Sequence, residues 1–281
     1  MERFHSNEIG KYKIGDIIYK SPNSTVYECY DRESGSGKLV AKFVPIVESK
    51  EDTSRNESIM LSYFPSTGKS TNIVELLDDF QFGEFYVYIY PRYDTDLYEM
   101  IQAGGFKRDE EKLALVMYKI AKGINRISSS NIIHNDIKPE NVFLNSNNEV
   151  FIGDFGSAYF ADINSSVQIK RTEQYQAPES INGNEISFPY DVWSFGVLLY
   201  TAKKFEYPFG CPNEILFKTP RYYGINGNLL DLIKGCLIKD PSRRFKIQDV
   251  LKHQWFEEHH VASKNTLETD ETTEIEPTPD K

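Results

Sequence analysis

The chain changes its pattern at Pro91, and this change limits the fold more than any other feature of the sequence. Before Pro91, short apolar or β-branched runs broken by turn-forming residues predict strands at 12–19, 25–30, 38–44, 73–80 and 85–90, with one helix near 52–63. After Pro91, helical spacing of apolar residues predicts helices at 97–102, 110–128, 190–202, 229–236 and 247–251. The sequence therefore predicts an α+β, bilobal fold, with a strand-rich N-terminal lobe (12–90), a hinge (91–94) and a helical C-terminal lobe (95–257).

Composition indicates a globular protein with a sizeable core, since 40% of the 281 residues are hydrophobic. The three cysteines, Cys29, Cys211 and Cys236, are widely spaced and odd in number, which favours reduced thiols. The first residues lack the apolar core of a signal peptide, and no apolar run reaches the roughly 18 residues that cross a membrane. We expect a cytoplasmic protein, with the nucleus as the alternative, and no membrane partner.

The net charge of −10 is concentrated towards the C-terminal end. Residues 258–281 contain seven acidic residues and two lysines with almost no large apolar side chains, so we expect an acidic disordered tail. His259 and His260 are adjacent there, and a solvated pair is a simpler interpretation than a metal site. No basic face is visible, so we expect no nucleic-acid partner, and we expect a monomer.

Two loops in the second half carry reactive side chains at fixed offsets. Asp136, Lys138 and Asn141 lie in the run 134–141, and Asp154 begins an Asp-Phe-Gly at 154–156, with a hairpin-like segment between the two. Asp136 can accept the proton of an attacking hydroxyl, Lys138 can neutralise a moving phosphoryl group, and Asn141 and Asp154 offer oxygen ligands to Mg²⁺. Each motif alone is common, but together at this spacing they indicate phosphoryl transfer from ATP.

Further motifs appear in an order that resembles the eukaryotic protein kinase family, over about residues 12–257. Val40-Ala41-Lys42 resembles the strand that carries the ATP-binding lysine, and Glu57 resembles its ion-pair partner. The remaining matches are Ala177-Pro178-Glu179, which would close the activation segment, the run Asp191-Val192-Trp193-Ser194-Phe195-Gly196, which would form a buried helix, and Arg244, which would pair with Glu179.

The resemblance implies a protein kinase-like fold that binds ATP and Mg²⁺ in the cleft between the lobes. Adenine would contact Val26, Ala41 and Phe143, although core packing alone would also explain these three residues. The hinge backbone at Pro91 and Tyr93 would bind the adenine edge, Asp96 would lie near the ribose, and Tyr90 would close the pocket behind the base. By this resemblance, Lys42, held by Glu57, would bind the phosphates of ATP. Asn141 and Asp154 would bind the metal, and Asp136 and Lys138 would be the catalytic residues.

Two features favour serine/threonine substrates. Lys138 belongs to a Lys-Pro-Glu-Asn run, which is the arrangement of serine/threonine kinases, and Thr172 precedes Ala177 in the segment that would receive a peptide. The resemblance therefore implies that the substrates are proteins with Ser or Thr hydroxyls.

The loop that would cover the phosphates departs from the family pattern. With Val26 at the family's valine, Tyr19, Ser21 and Ser24 stand at the three glycine positions, and Pro22 lies between them. Side chains obstruct close approach of the backbone to phosphate, and proline supplies no N–H. This departure favours weak ATP binding or a stiff lid. It leaves a pseudokinase that acts as a regulatory scaffold as the alternative function.

The control elements also depart from the pattern. Asn135 and Tyr159 stand where many kinases have the cations that bind a phosphate on the activation loop. A phosphate on Ser165 or Ser166 would lack those partners, so we expect activity that does not depend on activation-loop phosphorylation. Lys170 and Arg171 remain as substitute partners, which keeps the other possibility open.

Overall fold

The N-terminal part is an antiparallel sheet of six strands with a short helix. The computed structural model describes residues 7–33, 35, 38–47, 53–64, 72–162 and 172–261. The strands are β1 (Glu8–Ile9), β2 (Tyr12–Lys20), β3 (Thr25–Asp31), β4 (Leu39–Pro45), β5 (Asp78–Phe82) and β6 (Phe85–Pro91), and the helix is α1 (Asn56–Leu61). Their order in the sheet is β1-β2-β3-β4-β6-β5.

The two faces of this sheet have different roles because side chains alternate along each strand. Ala41 and Phe43 of β4 lie on one face, where they form a small core with Val87 and Ile89 of β6. Lys42 lies on the other face, opposite Tyr88 of β6. The second face packs towards α1 and the rest of the molecule.

The C-terminal part is helical and contains most of the core. Its helices are α2 (Leu97–Gln102), α3 (Glu110–Ser129), α4 (Pro178–Ile181), α5 (Pro189–Lys204), α6 (Pro212–Phe217), α7 (Gly227–Cys236), α8 (Ile247–Leu251) and α9 (Gln254–Glu258). The predicted apolar stripe of α3 is fully buried, as expected for Leu113, Val116, Met117, Ile120 and Ile124. No helix in the described part of the chain is long and apolar enough to span a membrane.

Short strands position the loops that face the cleft. They are β7 (Thr95–Asp96), β8 (Ile132–Ile133), β9 (Val142–Leu144), β10 (Val150–Ile152) and β11 (Tyr159–Phe160). β9 and β10 pair as an antiparallel hairpin between Asp136 and Asp154, so the predicted hairpin is confirmed. β7 joins β9, and β8 pairs with β11.

The predicted α+β class, with a strand-rich N-terminal part and a helical C-terminal part, is confirmed. The prediction of a strand at 73–80 is wrong at 73–77, since the strand begins at Asp78. The preceding segment leaves the sheet and pairs with β10, through a parallel bridge between Ile73 and Ile152. The predicted helix at 52–63 is shorter, because α1 covers only Asn56–Leu61, and residue 52 lies outside the described residues. The predicted disordered tail at 258–281 begins too early, since α9 includes Glu258 and Val261 is buried, and residues 262–281 lie outside the described residues.

A buried ion pair joins α4 to the segment before α8, as the resemblance implied. Arg244 donates to both carboxylate oxygens of Glu179, at 2.7 and 2.9 Å, and to the carbonyl oxygen of Pro189 at 2.9 Å. The two side chains are only 0% and 3% exposed. Removal of one partner would leave a buried charge without its counter-ion.

Arg244→Ala should therefore lower the free energy of unfolding by roughly 3–5 kcal/mol. The matched control is Arg32→Ala, which removes an equally short ion pair, 2.7 Å from Glu8, whose side chains are 50% and 51% exposed. Exposed pairs contribute about 0–1 kcal/mol. Urea unfolding of both variants measures the difference, and equal effects of the two substitutions would contradict the assignment.

Candidate active site

A single ammonium group links the two sides of the cleft. Lys42 of β4 donates to Glu57 Oε2 at 2.6 Å and to Asp154 Oδ1 at 2.8 Å. Glu57 comes from α1 in the N-terminal part, whereas Asp154 follows β10 in the C-terminal part. The Lys42 and Glu57 side chains are 14% and 4% exposed, so this pair is largely withdrawn from water.

The charges in this cluster stabilise one another against burial. Burial alone would lower the pKa of Lys42, but the Asp154 and Glu57 carboxylates outweigh it and raise that pKa above its ordinary value. Burial alone would raise the pKa of Asp154, but the Lys42 ammonium outweighs it and lowers that pKa to about 2. Lys42 and Asp154 are therefore both charged at neutral pH.

The backbone of the loop at 134–141 is fixed by a buried carboxylate. Asp191 of α5 accepts the backbone N–H of His134 at 2.8 Å and that of Asn135 at 2.9 Å. His134 Nε2 donates to the carbonyl oxygen of Gly153 at 3.0 Å, because a carbonyl can only accept, and His134 Nδ1 accepts the N–H of Asp136 at 3.3 Å. These contacts hold the residue that precedes Asp154 against the loop that carries Asp136.

Three side chains meet around the Asp136 carboxylate, two from the loop at 134–141 and one from the segment before α4. Lys138 Nζ donates to Asp136 Oδ2 at 2.7 Å and to Thr172 Oγ1 at 3.1 Å. Thr172 Oγ1 lies 3.3 Å from Asp136 Oδ1, and Asn141 Nδ2 lies 3.0 Å from Asp136 Oδ2. Burial alone would lower the pKa of Lys138, but the Asp136 carboxylate outweighs it and raises that pKa. The arrangement shows that a hydroxyl can reach Asp136 while an ammonium lies beside both.

Asn141 and Asp154 are brought together by the hairpin between them. The N–H of Gly153 donates to the carbonyl oxygen of Asn141 at 2.9 Å, which places Asp154 next to Asn141. Asp154 has a φ of 60°, a left-handed conformation that Asp adopts more readily than most residues.

The donor set of these two residues fits Mg²⁺. The Asn141 amide nitrogen donates to the backbone carbonyl and side chain of Asp136, so the amide oxygen is the atom that remains for a ligand. Mg²⁺ takes oxygen ligands and is usually bound through one or two carboxylates and the substrate phosphates, to which a side-chain amide oxygen can be added. Among the described residues, no group of three or more His, Cys, Asp or Glu side chains is arranged to hold a metal ion.

The prediction that Ala41 faces adenine is wrong. Ala41 is fully buried in the small core on the far side of the sheet, with Phe43 and Ile89. Val40, two residues before Lys42, lies on the Lys42 face and packs against the main core. The alternation of a strand contains this information, because residues i and i+2 share a face.

The other residues expected around a nucleotide have the following positions in the structure. Val26 of β3 is opposite Lys42 in the sheet and therefore shares its face. Phe143 of β9 stacks on Tyr93, with ring centroids 5.6 Å apart and planes 19° apart. Pro91 ends β6, and Tyr90 just before it is buried on the Lys42 face, which fits a closed pocket behind the base.

Asp96 has a structural role that the sequence did not reveal. It caps the N-terminus of α2, where its Oδ1 accepts the N–H of Glu99 at 2.8 Å. Burial raises the pKa of Asp96 above its ordinary value. This contact explains why α2 begins after Asp96, and it leaves a role near a ribose untested.

The backbone N–H groups of the turn at 21–24 form hydrogen bonds within the turn itself. The N–H groups of Asn23 and Ser24 donate to Ser21 Oγ at 3.2 and 3.1 Å, and the N–H of Ser21 donates to the carbonyl oxygen of Ser24 at 2.9 Å. Pro22 has no N–H. Each backbone N–H between 21 and 24 is therefore absent or bonded within the turn, and none is directed at a phosphate.

Asn56 is a site residue that the sequence analysis missed. Its carboxamide nitrogen contacts the carbonyl oxygens of Phe155 and Gly156, each at 3.1 Å, and of Ala158 at 2.7 Å. Its position next to Glu57 was the one available signal. Ser165, Ser166, Lys170 and Arg171 lie outside the described residues, so the expectations for them stay predictions.

Lys42→Met should raise the pKa of Asp154 above about 2, because burial, which raises that pKa, then acts without the Lys42 ammonium that opposes it. A carboxyl whose pKa is lowered by folding contributes stability above its unfolded pKa, and this contribution disappears as the pH falls from about 4 to about 2. The variant should lose the part of that contribution that the Lys42 ammonium supplies.

Carbon-13 NMR titration of the Asp154 carboxyl measures the change. Lys11→Met is the control, since the Lys11 ammonium lies 3.8 Å from the partly exposed Asp78. An Asp154 pKa that stays near 2 in Lys42→Met would refute the electrostatic account.

Comparisons with known proteins agree with this geometry. The family model for the protein kinase domain matches residues 12–256. The calcium/calmodulin-dependent protein kinase type I of Schizosaccharomyces pombe is 28% identical over 92% of this chain and 82% of its own length. An Aurora kinase of Yarrowia lipolytica is 29% identical over 90% of this chain and 70% of its own.

A third relative is the serine/threonine-protein kinase STK11 of Gallus gallus, which is 28% identical over 92% of this chain and 62% of its own length. The family match extends over both the strand-rich part and the helical part, and it includes the two loops that meet at the cleft. The chain belongs to the eukaryotic protein kinase family.

Proposed function

We propose that the chain is an active serine/threonine protein kinase that transfers the γ-phosphoryl group of ATP to Ser or Thr hydroxyls of proteins. The observation that carries this proposal is the assembled cleft, in which Lys42, Glu57 and Asp154 are in contact while Asp136 and Lys138 lie beside a hydroxyl. The relatives are named as protein kinases, one of them as a serine/threonine-protein kinase. We assign the kinase domain to 12–257, with its hinge at 91–94.

Asp136 is the proton acceptor in this reaction. The substrate hydroxyl oxygen forms a bond to the γ-phosphorus, the bond from that phosphorus to the bridging oxygen breaks, and ADP leaves with the electron pair. The hydroxyl proton passes to Asp136, whose carboxylate already lies within reach of a hydroxyl, that of Thr172 at 3.3 Å. Lys138 contacts both the Asp136 carboxylate and the Thr172 hydroxyl, and it balances the negative charge of the phosphoryl group that moves towards them.

The nucleotide is placed between the lobes. Lys42, oriented by Glu57, contacts the α- and β-phosphates, while Val26 and Phe143 enclose the adenine together with Val40, which replaces Ala41 in this assignment. The backbone of Pro91 and Tyr93 binds the adenine edge, and Asp96 lies towards the ribose. Mg²⁺ would be held by Asp154 and Asn141, and when bound it neutralises charge on the phosphates.

A pseudokinase that regulates a partner is the second candidate, and one observation favours it. The turn at 21–24 offers no backbone N–H to a phosphate, since Ser21 Oγ occupies those of Asn23 and Ser24. Against it stands the complete set of charged groups, because a scaffold does not need Asp136 and Lys138 in hydrogen-bond contact.

We also propose that activity does not depend on activation-loop phosphorylation. Asn135 is 1% exposed, and its side chain donates to the carbonyl oxygen of Ser157, so a neutral amide stands where a phosphate-binding cation would be. Tyr159 is part of β11 and pairs with Ile133, which ties this segment to the loop at 134–141 by backbone bonds.

Asp136→Asn should lower turnover by about 10²–10⁴-fold, because the amide cannot take the hydroxyl proton. Transfer of labelled phosphate from ATP to a Ser/Thr peptide measures turnover, and circular dichroism checks that the variant is folded. Asp231→Asn, at a carboxylate that is 72% exposed, serves as the control. Wild-type turnover in a folded Asp136→Asn protein would refute the assignment.

The double substitution Ser165→Ala and Ser166→Ala should leave turnover within tenfold of the wild type, since the partners that a phosphate needs there are replaced by Asn135 and Tyr159. The same peptide assay measures it, with phosphatase-treated wild-type protein as the reference. A larger loss in the double variant would show that a phosphate on this segment is required.

A further inference from the structure

Consecutive carbonyl groups after Asp154 are held by side-chain amides from two directions. Asn56 of α1 contacts the carbonyl oxygens of Phe155, Gly156 and Ala158. Asn135 of the loop at 134–141 donates to the remaining carbonyl oxygen, that of Ser157, at 3.1 Å. Every carbonyl from 155 to 158 therefore has a carboxamide donor.

The orientation of the Asn56 amide follows from its surroundings. Three neighbours of the terminal atom are carbonyl oxygens, which only accept, so the NH₂ group and not the amide oxygen faces them. Two hydrogens cannot bond fully to three acceptors. The shortest contact, 2.7 Å to Ala158, takes one of them, and Phe155 and Gly156 share the other.

Asn56 also couples the Lys42–Glu57 ion pair to the position of the segment after Asp154. It precedes Glu57 in the first turn of α1, so one dipeptide contacts both Lys42 and the segment after Asp154. A shift of α1 away from the cleft would break the Lys42 pair and the carbonyl contacts together.

Asn135 contacts the segment after Asp154 from the side opposite Asn56, and its own backbone is fixed. Its φ of 68° lies in the left-handed region, which Asn adopts more readily than most residues, and its backbone N–H is bonded to Asp191. Because its backbone is fixed in this way, its buried side chain reaches Ser157 from a rigid position.

Asp154 needs such support. Its left-handed backbone is a conformation that persists when surrounding contacts hold it. Phe155 is fully buried against Phe64 and His134, which holds one side of the segment. Further along, the N–H of Ala161 donates to the carbonyl oxygen of Asn131 at 2.9 Å, which holds the other end of the described segment.

We infer that Asn56 and Asn135 are positioning residues that hold Asp154 in its metal-binding position and thereby replace an activating phosphate. A carboxamide is neutral and always present, whereas a phosphate must be added by another reaction. The inference rests on the proposed function, because it explains how that site is kept assembled in an unphosphorylated protein.

The experiment compares phosphatase-treated wild-type protein with Asn56→Asp and Asn135→Asp. Each change keeps the side-chain shape but places carboxylate oxygen against carbonyl oxygen. Asn228→Ala is the control, since Asn228 donates to the exposed Glu258, and both residues are far along the chain from Asn56 and Asn135. Three quantities are measured: amide hydrogen exchange at 158–161 without nucleotide, the Mg²⁺ concentration for half-maximal ADP binding, and KM for a peptide substrate.

We expect at least tenfold faster exchange at 158–161 and at least a tenfold higher Mg²⁺ requirement in Asn56→Asp and Asn135→Asp. The peptide KM should stay within twofold, because Asn56 and Asn135 lie outside the segment from Thr172 to Ala177 that is expected to receive the peptide. A general loss of structure would instead change all three quantities. Unchanged exchange and unchanged Mg²⁺ dependence in the folded variants would overturn the inference.

The wild type provides a second test if a variant does not fold. Rapid, unprotected exchange at 158–161 in phosphatase-treated wild-type protein would overturn the inference by itself. If that protein shows protected amides and tight Mg²⁺-dependent ADP binding but no transfer to peptides, the proposed function fails while the positioning role stands. The two failures are thus distinguishable.

Discussion

The shared ammonium of Lys42 is the interaction on which the rest of the cleft depends. It contacts carboxylates from both parts of the molecule, Glu57 from α1 and Asp154 from the segment after β10. Without this cation, the buried carboxylate of Glu57 and the partly exposed carboxylate of Asp154 would lie close together without their shared counter-ion. The lowered pKa of Asp154 and the raised pKa of Lys42 have this common cause.

The parts of the cleft differ in how they are prepared for a nucleotide. On the C-terminal side, Asp191 fixes the backbone of the loop at 134–141, and the carboxamides of Asn56 and Asn135 fix the segment after Asp154. On the opposite side, the turn at 21–24 is closed upon itself by Ser21. Binding of phosphate would then depend on Lys42 and on the Mg²⁺ held by Asp154 and Asn141, and not on backbone N–H groups of the turn at 21–24. In a glycine-rich loop, by contrast, those N–H groups can approach the phosphates closely.

The sequence predicted those features that depend on local pattern or on spacing. The apolar period of α3, the hairpin between the two loops and the partners Lys42 and Glu57 were all recognisable in it. Ala41 was assigned to the wrong face although strand alternation pointed to Val40. Contacts between distant segments that no family motif marks were not predictable, because no local pattern signals that residues 72–74 pair with β10 or that Asn56 reaches Ala158.

The central claim is that this cleft is a working active site in the absence of phosphate on the protein. Its most direct measurement incubates the phosphatase-treated full chain with ATP labelled at the γ-position, Mg²⁺ and a mixed peptide library, and then identifies the labelled residues. The account predicts label on Ser and Thr. An absence of any labelled peptide, from protein shown to be folded, would contradict it and would favour the regulatory scaffold.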